Sequence, residues 1–152
     1  MNKKLLLVTL LCVTGYTISG DDQTTDLYDS IFLDAAKNGK VQELNRLLRA
    51  HPNIDVNAQD SDGYTALMLA AYNGHDDCVT SLLDHPGIKV NAQTKNGYTA
   101  LMCAAQNGHA FCVTALIRAG ASKGIKNRNG NTAYDLAEDR DHRAIMSMVK
   151  NK

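Results

Sequence analysis

The apolar residues of this 152-residue chain recur three or four positions apart, in short runs interrupted by Asn-Gly pairs. Such spacing is typical of short amphipathic helices, and Asn-Gly favours a break between two of them. The first pair of predicted helices covers residues 31–36 and 41–48, on either side of Asn38-Gly39. Two further pairs follow the same arrangement: 66–71 with 78–83, and 100–105 with 112–117.

The second and third helix pairs are copies of each other. The stretch from Gly63 to Leu83 is written again from Gly97 to Ile117, at a constant offset of 34 residues. Self-similarity at that period predicts an array of stacked repeats. Thr65 and Thr99 are predicted N-caps, because a threonine hydroxyl can accept a hydrogen bond from a free amide of the first helical turn. The glycine of each Asn-Gly pair is predicted to end the first helix in the left-handed conformation.

Partial copies flank the two inner units, so the predicted domain covers residues 30–152. Its units run over about 30–59, 60–93, 94–126 and 127–152. In the last unit, charged residues at 138–143 stand where the inner units carry Ala, Gly and His. That is typical of a terminal repeat, whose outer side has no neighbour to cover it. Residues 21–29 are acidic and polar, which predicts a flexible leader.

Residues 1–20 have the layout of a secretory signal peptide. Lys3 and Lys4 precede an apolar run at 5–13, and a small polar stretch then leads to a predicted cut near Asp21. The apolar run is shorter than the roughly 18–20 residues that span a bilayer, so no stable membrane span is expected in the mature form.

The predicted destination is the periplasm, because the opening Met-Asn-Lys-Lys-Leu-Leu-Leu is typical of exported bacterial proteins. Secretion, or a lipid anchor at Cys12, stays open as an alternative. Removing residues 1–20 takes away two lysines and no acid, which leaves a slightly acidic chain. A nucleic-acid partner is not expected, since such proteins carry a clustered basic excess.

The copied stretches resemble the ankyrin repeat, whose signature is Thr-Pro-Leu-His-x-Ala-Ala-x-x-Gly-His, then Val-x-x-Leu-Leu and Gly-Ala-x-x-Asn. The resemblance covers about residues 31–149. It implies an all-α repeat solenoid of stacked helix-turn-helix units with β-hairpin loops, about four repeats including caps. Ala66 and Ala100 replace the family's Pro, and Met68 and Met102 replace its His. The second change removes a hydrogen bond that ties adjacent hairpins in the family.

The tetratricopeptide repeat has the same 34-residue period, but it requires Trp, which this chain lacks. A nucleophile-elbow spacing occurs at residues 120–124, yet that motif needs a strand before it and a helix after it. Among the five histidines, none pairs with another at the i, i+3 or i, i+4 spacing of two ligands on one helix. We therefore expect no enzyme activity, no cofactor and no metal site.

Three cysteines remain after the signal peptide: Cys78, Cys103 and Cys112. Repeat alignment places all three at positions of the helical core, which favours buried free thiols. Cys103 and Cys112 flank the Asn107-Gly108 turn at similar distances, so a disulfide between them stays open in an oxidising compartment.

The resemblance implies a protein-binding surface made by hairpin tips and exposed positions of the first helices. Carried onto this sequence, the contact positions are Ser61, Asp62, Tyr64, Tyr72, Lys95, Asn96, Tyr98, Gln106, Arg128, Asn129 and Asn131. Tyr64 and Tyr98 would form a ladder beside Tyr72, and tyrosine is enriched at binding hot spots.

The function expected from these residues is a monomeric, non-catalytic module that binds another protein as a scaffold, inhibitor or immunity-type factor. The alternative is a thiol-handling, metal-handling or oxidative-stress accessory protein that uses Cys78, Cys103 and Cys112. A purely structural role, or release as an effector, is the third hypothesis.

Overall fold

The computed structural model describes residues 22–52 and 54–150, and these form eight α-helices. The helices are α1 (Asp22–Lys37), α2 (Val41–Ala50), α3 (Ala66–Asn73), α4 (Asp76–Leu83), α5 (Ala100–Asn107), α6 (Ala110–Arg118), α7 (Ala133–Glu138) and α8 (Arg143–Val149). Within these ranges, β-structure is limited to one antiparallel bridge between Gln59 and Thr65. None of the eight helices is long and apolar enough to cross a bilayer.

Consecutive helices pair into four units, and the units stack in two rows. The inner row consists of α1, α3, α5 and α7, each of which packs against the next, and the outer row consists of α2, α4, α6 and α8. A continuous core lies between the rows. The all-α repeat solenoid expected from the sequence is confirmed.

The helices begin and end where local side-chain chemistry predicts. The Thr65 hydroxyl accepts from the Met68 amide at 3.3 Å, and the Thr99 hydroxyl accepts from the Met102 amide at the same distance. Gly74 ends α3 with φ 71° and Gly108 ends α5 with φ 82°, both in the left-handed region.

Alanines of the inner row make close stacking feasible. Ala70, Ala71, Ala104 and Ala105 are fully buried, and their small side chains let neighbouring inner helices approach each other. The methionines at the family's His positions are likewise buried, at 1% exposure each. These positions therefore contribute apolar packing to the core instead of a polar tie between hairpins.

Asparagines of the shared Val-Asn-Ala-Gln segments join one unit to the next. Asn57 accepts from the Lys89 amide at 2.7 Å, and Asn91 accepts from the Ser122 amide at 2.8 Å. Each asparagine also donates to a glycine carbonyl of the next loop. The recurrence of this asparagine is thus explained by bonds between units.

Residues 22–29, for which the sequence predicts a flexible leader, form the first turns of α1, which begins at Asp22. The apolar stripe of this helix extends back to Tyr28, whose ring lies 3.9 Å from that of His51 between centroids. Tyr28, Ile31, Phe32 and Ala35 follow helical spacing and pack on the core. The predicted signal peptide lies outside the described residues.

The last unit retains the histidine contact of the inner units, although its sequence at 138–143 departs from theirs. Glu138, Asp139 and Arg140 are exposed, in keeping with a terminal unit. His142, however, is half-buried, and its Nε2 donates to the Gln106 carbonyl at 3.2 Å. Asp141 takes the left-handed conformation, with φ 54°, at the place where inner units have glycine.

Candidate protein-binding surface

Three tight turns precede α3, α5 and α7, and we name them the first tip (60–64), the second tip (94–98) and the third tip (127–131). In each, the side chain of the first residue accepts a hydrogen bond from the amide four positions later. The pairs are Asp60 with Tyr64 at 2.8 Å, Thr94 with Tyr98 at 3.0 Å, and Asn127 with Asn131 at 3.0 Å. Three different polar side chains therefore close the same turn.

Neighbouring tips are joined by backbone hydrogen bonds. The Lys95 amide donates to the Asp62 carbonyl at 3.1 Å, and the Arg128 amide donates to the Asn96 carbonyl at 3.0 Å. Gly63 permits the first of these approaches, since a Cβ there would lie 2.8 Å from the Lys95 nitrogen. The tips thus form a continuous edge whose backbone is internally bonded and whose side chains project from it.

The eleven predicted contact residues fall into two groups by exposure. We call the surface that they form, together with the three tips, the tip surface. Its exposed members are Ser61, Asp62, Tyr72, Lys95, Asn96, Arg128 and Asn129. Its half-buried members are Tyr64, Tyr98, Gln106 and Asn131.

Three tyrosines lie near one another on this surface. Tyr64 and Tyr98 pack partly against the core, and Tyr72 is 46% exposed. Burial raises the pKa of Tyr64, and the nearby Cys103, Tyr72, Tyr98 and Asp60 raise it further, because their charged forms would repel a phenolate. Tyr64 is therefore a neutral hydroxyl at physiological pH, able to donate as well as accept.

A cavity of about 470 Å³ opens beside the first tip. It lies between α1 and the chain at 58–60, and its wall includes Leu33, Asp34, Lys37, Asp60 and Leu69. Sequence reasoning missed this cavity, because most of its wall comes from the first unit, where the repeated pattern is weakest. The contact of α1 with α3 is the structural feature that forms it.

The candidate disulfide between Cys103 and Cys112 is not formed, since Cys78, Cys103 and Cys112 are all free and buried. The Cys112 thiol donates to Asp76 Oδ1 at 3.0 Å, across to α4 of the preceding unit. Cys103 instead lies in the core on α5. Equal distance from a turn therefore does not bring these two sulfurs together.

Burial also suppresses the thiol chemistry that a redox or metal-handling role would need. It raises the pKa of Cys103 to about 12, and burial together with Asp76 raises that of Cys112 to about 12. Burial and Asp77 raise the pKa of Cys78 as well. The thiolate is the form that reacts and binds metals, so these shifts disfavour the thiol-based alternative.

Histidines before the outer helices stack the units. Nε2 of His75 donates to the Lys37 carbonyl at 3.0 Å, and Nε2 of His109 donates to the Tyr72 carbonyl at 3.1 Å. His142 repeats the contact in the last unit. Among the side chains that the structure describes, at 27–52 and 54–150, no three from His, Cys, Asp or Glu are grouped so that they could hold a metal ion.

The sequence matches the family described as Ankyrin repeats (3 copies), over residues 1–94 and 86–151. This chain belongs to the ankyrin repeat family. Ankyrin repeats indicate a protein–protein interaction module, and the family is generally non-catalytic. The stacked units and the repeated residues described above are thus features of this family.

Curated relatives share the repeats over a small part of their own length. Human oxysterol-binding protein-related protein 1 is 36% identical over 124 residues, which is 82% of this chain and 9% of that protein. Bovine mitochondrial disaggregase is 40% identical over 77 residues, 51% of this chain and 10% of that protein. Human ankyrin repeat domain-containing protein 29 is 47% identical over 49 residues, 32% of this chain and 16% of that protein.

Proposed function

We propose that this ankyrin repeat protein is a non-catalytic module that binds another protein through the tip surface. The observation that supports this most directly is that the residues that stack the units differ from those that are exposed at the tips. His75, His109 and the buried alanines and cysteines hold the units together, whereas the tyrosines of the tip surface and the varying tip side chains are left to contact a partner. The bound partner would be occluded or held in place, as for an inhibitor, immunity-type factor or scaffold.

The tyrosine group suits a binding hot spot for physical reasons. A tyrosine offers a large contact area with only two rotatable side-chain bonds, so little entropy is lost on binding. Tyr64 and Tyr98 are already held against the core, which lowers that loss further. We expect the partner to place apolar side chains over these rings.

A matched pair of variants tests the surface. Tyr64→Ala/Tyr98→Ala removes two rings of the tip surface, and Phe111→Ala removes the 57% exposed Phe111 from α6 in the outer row. Proteins retained by each variant from an extract of the producing cells are compared quantitatively with those retained by the wild type. We expect the affinity of the tyrosine variant for at least one partner to fall about 30-fold or more, because a hot-spot side chain contributes about 2 kcal/mol or more.

Circular dichroism of both variants is needed, since Tyr64 and Tyr98 are half-buried. Tyr72→Ala, at a more exposed position, gives a second measurement with less risk to the fold. If folded tyrosine variants retain every partner, the tip surface is not the binding site.

We also propose that the protein is exported to the periplasm, on the basis of the sequence pattern of residues 1–20. We propose further that it is a monomer. The test is fractionation of the producing cells, with mass spectrometry of the mature N-terminus and light scattering for the oligomeric state. A chain cut near Asp21 in the periplasmic fraction is expected. An uncut chain in the cytoplasm would overturn the export, and a lipid-modified Cys12 or a chain in the medium would replace the periplasm by the corresponding alternative.

A further inference from the structure

Formal charge changes sign along the tip surface. The first tip carries Asp60 and Asp62, the second tip carries Lys95, and the third tip carries Arg128. These residues come from three successive copies of one repeated turn, so the fold presents an acidic end and a basic end along one edge.

The spacing between these charges is fixed by the backbone. The amides of Lys95 and Arg128 each donate to the tip before, to the carbonyls of Asp62 and Asn96. The side chains therefore project from a bonded edge instead of from independent loops. A partner segment that matches this sequence of charges does not have to immobilise the tips when it binds. The entropic cost of that immobilisation therefore does not reduce its affinity.

The tip charges at 62, 95 and 128 are available to a partner. In the part of the chain whose side chains are described, residues 27–52 and 54–150, the ion pairs involve Lys40 and Arg143 as cations, and none of them includes a tip side chain. Asp62, Lys95 and Arg128 are all exposed. Asp60 uses Oδ1 to accept from the amides of Asp62 and Tyr64, which fixes its carboxylate in the wall of the cavity.

The cavity at the acidic end is suited to a long basic side chain. Leu33 and Leu69 give its wall apolar surface for a methylene stem, and Asp60 offers a carboxylate for the charged head. Asp34, also in the wall, is paired with Lys40 at 3.5 Å, and Lys37 adds a positive charge. Asp29 and Asp60 are the other carboxylates of the wall, and the exposed Asp62 adds a further negative charge on the same tip as Asp60.

We propose that the tip surface recognises a protein segment with a polarised charge pattern, an inference that rests on the binding function proposed above. The segment carries Lys or Arg where it meets the first tip and Asp or Glu where it meets the second and third tips. Apolar or aromatic residues lie between them, over Tyr64, Tyr72 and Tyr98. The charge order fixes the direction in which the segment lies, since the reverse orientation would bring like charges together.

Selection from a random peptide library displayed on phage tests this proposal without a known partner. Clones bound by the wild-type protein are expected to carry basic residues at one end and acidic residues at the other, in one constant order. Synthetic peptides made from these clones are then titrated by fluorescence anisotropy against the wild type and three variants.

The decisive variant, Asp62→Lys/Arg128→Glu, reverses both ends of the tip surface without changing net charge. It should raise the Kd of the selected peptides about ten-fold, because two attractive charge pairs become repulsive. Its control, Asp139→Lys/Arg140→Glu, makes the same exchanges at exposed residues of the last unit and should leave the affinity unchanged. About 0.5 M NaCl should weaken wild-type binding as well, since it screens exposed charges.

The third variant, Tyr64→Ala/Tyr98→Ala, separates the two proposals. Peptides that depend on the tyrosines but bind the charge-reversed variant as well as the wild type overturn the polarised pattern and leave the binding function standing. Peptides that depend on neither, or failure to select any peptide, overturn both.

Discussion

At the scale of single residues, the glycine and histidine of each Gly-His pair act in neighbouring units. Gly74 ends α3, and the His109 ring of the next unit lies over it, with Cε1 2.6 Å from where a Cβ would stand. The repeated dipeptide is thus explained by a contact between units, in which a glycine receives the histidine of its neighbour.

Gly74→Ala should therefore destabilise the protein more than a left-handed backbone alone would. Gly87→Ala is the matched control, because Gly87 has φ 87° and nothing within 4 Å of its absent Cβ. We expect the control to lower the free energy of unfolding by about 1 kcal/mol and Gly74→Ala to lower it by about 2–4 kcal/mol. Urea unfolding measures both, and equal losses would remove the contact with His109 from the explanation.

Asp141 is the one described residue other than glycine with a positive φ. Asp141→Gly should raise the free energy of unfolding by about 0.5–1 kcal/mol, since glycine adopts this conformation without steric cost. The exposed Asp141–Arg143 ion pair at 2.9 Å that would be lost contributes little. A thermal melt should show a higher midpoint, and a lower one would show that the ion pair outweighs the strain.

The buried thiol of Cys103 gives stability a dependence on alkaline pH. Its pKa is raised to about 12 in the folded protein, whereas the pKa of a cysteine thiol in the unfolded chain is about 8.5. Its contribution is therefore complete below about pH 8.5 and is lost as pH rises from there towards about 12. Between about pH 8 and 10.5, Cys103→Ala should lose about 2 kcal/mol less than the wild type, measured by urea unfolding. Equal losses would mean that the thiol ionises as readily in the folded state.

At the scale of helices, α7 has a cap that differs from those of α3 and α5. The Thr132 hydroxyl accepts from the Asp135 amide, and Asp135 Oδ2 accepts from the Thr132 amide at 2.7 Å, which makes a capping box. These hydrogen bonds from Thr132 lower the pKa of the Asp135 carboxyl. The Thr-x-x-Asp spacing could have revealed this box from the sequence.

Thr132→Ala should cost about 1 kcal/mol of unfolding free energy at neutral pH. A lowered pKa means that the stabilisation by Asp135 is present above the unfolded value, near about 3.9, and is lost as pH falls through the folded value. The gap between variant and wild type should therefore narrow below about pH 4. A gap that stays constant down to pH values below the folded pKa would show that the Thr132 hydroxyl does not stabilise the Asp135 carboxylate.

Sequence rules succeeded for helix ends because those depend on neighbouring residues. Thr65, Thr99, Gly74 and Gly108 were all placed correctly by the bonding needs of the adjacent helical turn. They failed where distant contacts decide. The helical start of α1 was hidden by its polar composition, and its apolar stripe is recognisable only once Tyr28 is seen against His51.

The same limit applies to the candidate site. His142 was obscured because Asp141 replaces the glycine before it and because it follows His109 by 33 residues, whereas His109 follows His75 by 34. The orientation of Cys112 towards Asp76 depends on how one unit sits on the next. The repeat pattern placed the tip residues, but the bonds between tips and the cavity beside the first tip arise only from stacking.

At the scale of the whole molecule, the residues that the repeats share and the residues that vary between them have different roles. The repeated residues hold each unit against its neighbours, so stability is a sum of contacts between adjacent units. The tip surface brings together the side chains that vary between copies. Specificity for a partner is therefore expected from differences among the tips, while the shared residues maintain their spacing.

The most direct test of this account is amide hydrogen exchange on the protein alone and in complex with a captured partner. We predict that binding slows exchange in the tips and in the inner-row segments at 60–72, 94–106 and 127–131. The outer-row helices α2, α4, α6 and α8 should keep the rates of the free protein. Protection confined to those outer helices, with the tips unchanged, would contradict the assignment of the tip surface as the binding site.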